Sequence, residues 1–193
     1  MPLGYQATLA SAQASGTALA SFTTSTSLLA GGAAQALYTW PPDNWFIGKM
    51  LKINAVVAIG NVVTSQPTFT FNVLFGATTV FTTGALLTST TAHTALPCWL
   101  EILLTCRAVG PTANLMGQAR IDGRPFLDAG ATADITTLGH PSLLGPESTP
   151  AVGNNFNSNA SQQVDFQVAC SASSASNTAQ LIQYSLQDMT CLN

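Results

Sequence analysis

In residues 68–76, TFTFNVLFG, apolar and polar side chains alternate: Phe69, Phe71, Val73 and Phe75 fall on one side of an extended chain, and Thr70 and Asn72 on the other. A period of two is the pattern of a strand with one buried face, because successive side chains point to opposite sides of a sheet. The same period runs through KMLKINAVVAIG (49–60), where Leu51, Ile53, Ala55, Val57 and Ile59 oppose Lys52 and Asn54. It returns in NLMGQARIDG (114–123), in SQQVDFQVACS (161–171), and in NTAQLIQYSLQDM (177–189), where Ile182, Tyr184 and Leu186 are expected to face inward against Gln183, Ser185 and Gln187. ATTVFTTG (77–84) reads as a short hairpin partner of the strand before it. LPCWLEILLTCRAVG (96–110) sets Leu100, Ile102, Leu104 and Cys106 against Trp99, Glu101, Leu103 and Thr105. Both of its faces are largely apolar, so it is expected to be a central strand or one covered on both sides.

No segment combines helical periodicity with capping residues. About eight strands punctuated by Gly, Pro and Asn turns predict an all-β fold: an antiparallel β-sandwich, jelly-roll-like, with an extended N-terminal arm. Residues 1–42 carry no charge, the first being Asp43, and small residues separate their leucines and aromatics. They are expected to form short strands or an arm packing on neighbouring subunits. Residues 43–193 are expected to be one sandwich domain, interrupted by a long Pro- and Gly-rich loop at 123–159 with one short strand near Ala133–Leu138.

Charge narrows the function. The chain of 193 residues has 5 Lys plus Arg and 8 Asp plus Glu, while 25 Thr and 16 Ser supply much of its polarity. The cations Lys49, Lys52, Arg107, Arg120 and Arg124 are scattered, whereas a phosphate-binding face needs them clustered; no nucleic-acid partner is expected. Thr, Ser, Asn or Gln interrupts every apolar run before it reaches the length of a spanning helix, so no membrane is expected either. The N-terminus lacks a basic stretch followed by an apolar one, and the chain is expected to stay in a cytoplasm until assembly. Cys98 and Cys106 lie eight residues apart in one strand. That is about 26 Å at about 3.3 Å per residue, too far for a disulfide, so buried free thiols are expected.

The residues that could carry chemistry are few. His93 and His140 sit in no metalloprotease or triad-like frame and read as loop histidines. Asp122, Asp128, Asp134 and Glu147 are too sparse for a calcium loop and read as solvated carboxylates. No catalytic residue, metal ligand or cofactor is expected. Glu101, set among apolar residues, needs a partner if buried, and Arg107 and Arg120 are the nearest in plausible strand pairings. Trp40, Trp45 and Trp99 read as core or interface anchors, with YTWPPDNWF (38–46) as a possible sugar platform.

Taken together, GKMLKINAVVAIGN, PTFTFNVLFGATTVFTTGA, LPCWLEILLTCRAVG with the Gly-Gln-Ala-Arg strand after it, and SSASNTAQLIQYSLQDM resemble a group of small all-β virion structural proteins of tailed bacteriophages. The resemblance covers residues 48–122 and 160–190, more than half of the chain. It implies a non-enzymatic virion component, foremost a capsid decoration (cement) protein stabilising the outer capsid surface. The alternative is a tail, baseplate or receptor-binding component contacting host glycan. The implied partners are the major capsid protein and copies of the chain itself, as a homotrimer. A chain with so few charges has little repulsion to keep it apart from neighbours. Leu19, Phe22, Leu28, Leu37, Trp40 and Trp45, in or next to the uncharged segment, are the candidate interface residues.

Overall fold

A computed structural model describes residues 6–62, 66–126, 142–150 and 152–190. The alternating segments form the strands they predict. Strands β5 (Met50–Asn61), β6 (Thr68–Phe75), β7 (Thr78–Thr82), β9 (His93–Ala108), β10 (Asn114–Gly123), β12 (Gln162–Cys170) and β13 (Thr178–Asp188) make up the body. Short strands surround them: β1 (Ala7–Ser11), β2 (Leu19–Ala20), β3 (Thr26–Ser27), β4 (Tyr38–Trp40), β8 (Leu86–Leu87) and β11 (Ser142–Gly145). A 3-10 turn at Gly31–Ala36 is the helical element among the described residues.

The fold is an all-β antiparallel sandwich. The larger sheet has the order β1-β13-β5-β9-β10-β11, with β2 also on β13; the smaller has β3-β12-β6-β7, with β4 also on β12 and β8 on β6. The chain crosses between sheets from β2 to β3, from β4 to β5, from β5 to β6, from β8 to β9, from β11 to β12 and from β12 to β13, while β6-β7 and β9-β10 are hairpins within one sheet. Burying the apolar face of every strand against the other sheet is what joins the two layers. The core runs from Ile53, Leu100, Ile102 and Leu186 on one side to Phe69, Phe71, Phe166 and Val168 on the other. Phe71 stacks on Phe166, and Phe166 on Tyr184 of the facing sheet, with ring centroids 5.8 and 6.1 Å apart. Gly117 lies on the inner face of β10, where a Cβ would run into the Phe81 ring, so only glycine lets that ring rest on the larger sheet.

Residues 6–42 form short strands that lie on the chain's own sheets. β1 and β2 pair with β13, β3 and β4 with β12, and Leu28, Leu29, Ala33, Ala36 and Trp40 enter the core. The described parts of loop 123–159 are also tied down. β11 extends β10, Phe126 packs edge-on against Phe69 and Phe71, and Phe156 stacks on Phe75. The strand expected near Ala133–Leu138 lies outside the described residues, as do Asp128, Asp134, His140 and Cys191.

Two expectations need correction. Ile182 does not face inward: a bulge between Leu181 and Gln183 lets both Ile182 and Gln183 point outward, while Leu181 and Tyr184 enter the core. Glu101 lies on the half-exposed outer face of β9, and its partner is Lys52 at 2.6 Å, not Arg107 or Arg120. Arg120, its register neighbour on β10, pairs with Asp122 at 2.9 Å. As expected, β9 is central, lying between β5 and β10, and Cys98 and Cys106 are buried and free; Cys170, on the inner face of β12, is buried and free as well.

Candidate functional site

Register on the larger sheet arranges the outward side chains in rows across the strands. Gln183, Val56, Trp99 and Asp122 form one row; Ser185, Asn54, Glu101 and Arg120 form the next; Gln187, Lys52, Leu103 and Gln118 form the third. Where β13, β5 and β9 meet, these rows surround an open depression of about 600 Å³. Val56 and Asn54 on β5 form its floor, Trp99 and Glu101 on β9 one flank, and Gln183, Ser185 and Gln187 on β13 the other. Ala12 closes the rim where the segment after β1 hydrogen-bonds through its N–H to the Tyr184 carbonyl, 3.0 Å away. The β13 and β9 flanks are two strand spacings apart, about 9.5 Å.

Trp99 is the unusual member. Its outward position is set by the same alternation that buries Cys98 and Leu100, and its side chain is 47 % exposed. An indole left half in water on a sheet face offers a flat apolar surface that burial in the chain's own core does not account for. The bulge in β13 brings Gln183 into the Trp99 row; bulges commonly re-aim side chains beside binding sites. The lining side chains Asn54, Gln183, Ser185 and Gln187 make no hydrogen bond among the described residues, so their amides and hydroxyl are open to a ligand. The charged groups are held: Lys52 to Glu101, and Arg120 to Asp122 just beyond Trp99.

The candidates from the sequence fall elsewhere. Leu28, Trp40 and Trp45 are buried in the chain's own core, so they are not free to form a contact surface; Leu19, Phe22 and Leu37 are half-buried and packed against it. Trp45 lies 4.7 Å from Trp40 and contacts Phe75 and Phe156 at 5.4 and 5.5 Å, which rules out YTWPPDNWF as an open sugar platform. Lys49, 1 % exposed, lies over Trp40 at 4.9 Å and pairs with Asp188 at 2.9 Å, clamping the start of β5 to the end of β13. His93, expected in a loop, instead opens β9 opposite Asn61, at the far end of the sandwich from Lys49 and beside a cleft with Thr178. Burial raises the Cys98, Cys106 and Cys170 thiols above their ordinary value, and burial followed by the Asp165 charge raises the Tyr184 phenol. Such thiols are poor nucleophiles. Among the described residues, no three His, Cys, Asp or Glu come together as a metal site, and no helix is long and apolar enough to cross a membrane.

Neither a family model nor a curated protein matches the chain. Among solved structures it is similar to the CBM2 module of the evolved Dit of Lactobacillus casei BL23 phage J-1, at 10% identity and a TM-score of 0.33, over 81% of this chain and 70% of that one. A likeness at that TM-score fixes neither the topology nor the function of this chain.

Trp99, read from the sequence as a core or interface anchor, also carries a signal of its outward position. Trp99 shares parity with Glu101 and Thr105, the polar side of its strand, and Lys52 and Asn54 mark the outer face of β5.

Proposed function

We propose that the chain is a non-enzymatic glycan-binding module of a phage virion, holding host-surface carbohydrate in the depression beside Trp99. The observation that carries this reading is a half-exposed indole at the edge of an open depression lined by uncommitted amides and a hydroxyl beside the paired Lys52 and Glu101. A pyranose ring has an apolar C–H face and a rim of hydroxyls. It can therefore place its face on the indole while Asn54, Gln183 and Gln187 donate to and accept from the rim. The resemblance of the sequence to tailed-phage virion proteins agrees with a receptor-contacting role, the alternative drawn from the sequence. Nothing in the geometry singles out a capsid lattice as partner, so the receptor reading is preferred to capsid decoration.

Titration calorimetry with polysaccharides extracted from candidate host cells tests it. Trp99→Ala should weaken binding by about 30-fold, corresponding to the loss of about 2 kcal/mol from a central aromatic contact. Because Trp99 lies outside the core and is half-exposed, unfolding stability should fall by about 1 kcal/mol, leaving the variant folded for the titration. Equal affinity of the wild type and Trp99→Ala would remove the basis for this reading.

A further inference from the structure

We propose that the glycan held beside Trp99 is an uncharged one, built of units without carboxylate, sulfate or phosphate; this rests on the reading of the depression as a glycan site. Every basic group that reaches it is already neutralised. Lys52 lines the depression, but its ammonium lies 2.6 Å from the Glu101 carboxylate, with both side chains partly shielded from water. The lining residues therefore sum to no net charge. Arg120 is held by Asp122, and Lys49 is buried against Asp188. Arg107 lies eight residues along β9 from Trp99, about 26 Å away. Arg124 follows β10, on the side of β9 away from β5, and does not line the depression.

An anionic sugar entering this site would lose water without gaining a cation and would meet the Glu101 carboxylate. Both effects disfavour it. A neutral sugar presents hydroxyls, each donor and acceptor at once, and these match the side chains of Asn54, Gln183, Ser185 and Gln187. Discrimination would therefore come from rejection of charge as much as from attraction.

An array of neutral glycans and of uronate-, sialate- and phosphate-bearing glycans tests this with wild type, Trp99→Ala and Glu101→Gln. The expected result is Trp99-dependent binding of neutral members, with acidic members weaker by about tenfold or more. Glu101→Gln frees the Lys52 ammonium and should narrow that gap. Acidic glycans bound most tightly, in a Trp99-dependent way, would overturn the neutral-ligand proposal and leave the glycan reading standing. Absence of Trp99-dependent binding anywhere on the array would overturn both.

Discussion

At the scale of single residues, the most informative groups are those whose burial contradicts their chemistry. Lys49 is a cation with almost no access to water, held by one carboxylate and two aromatic faces, Trp40 at 4.9 Å and Phe46 at 5.3 Å. Asp188→Ala would leave that ammonium buried without its partner, and should cost about 3–5 kcal/mol in denaturant unfolding. Lys49→Met, which keeps the apolar stem, should cost less if Asp188 turns to solvent. The thiols behave in the opposite sense to a reactive cysteine. Their folded-state pKa values, like that of Tyr184, lie above the ordinary values of 9.0 for Cys and 10.0 for Tyr. The stability that follows is complete below those ordinary values. It is lost as pH rises above them, because the unfolded chain ionises first while the folded one holds its protons. Urea unfolding at pH 7–10.5 should therefore show a flat region to about pH 9 and then a decline of up to about 1.4 kcal/mol per pH unit for each fully shielded group. A flat profile throughout would contradict the burial of these groups.

The scale of elements is where sequence and structure agree most closely and where they part. Strict alternation with one apolar face was enough to find β5, β6, β9, β10, β12 and β13 within a few residues, because register against a buried face punishes any slip. The bulge in β13 was harder to read. Its trace is a change of parity: Ala179 and Leu181 are apolar on one phase, and Tyr184 and Leu186 on the other, so one residue must be extra. The outward position of Glu101, paired with Lys52, is masked in the sequence for a related reason. A strand with two apolar faces suggests burial on both, yet here Trp99 and Leu103 are apolar on the outer face. Deleting Ile182 should restore regular pairing of β13 with β5 while keeping every other side chain on its face. The variant is expected to fold with Gln183 still opposite Val56 in the Trp99 row, so that glycan affinity changes by no more than about threefold. A large loss of affinity would show that the bend of the strand, and not only the placement of Gln183, shapes the site.

At the scale of the whole molecule, the uncharged N-terminal region becomes part of the fold. Its apolar side chains fill the sandwich, with Leu28, Leu29 and Trp40 in the core and β1 to β4 extending both sheets. A chain lacking residues 1–42 should therefore lose its cooperative unfolding transition, as checked by circular dichroism during thermal melting; a truncated chain that melts sharply would contradict this. The low charge that marked the sequence also has a local counterpart, since the depression carries one cation and one anion in contact and otherwise neutral donors and acceptors. The central claim is that Trp99 is the ligand-contacting indole. With three tryptophans in the chain, two buried and one half-exposed, the indole N–H signals in a nitrogen-15 correlation spectrum report on it directly. Titration with host-surface polysaccharide should move the Trp99 signal, assigned through Trp99→Phe, and leave those of Trp40 and Trp45 in place. A Trp99 signal unmoved at saturation, or shifts confined to the buried pair, would contradict the account.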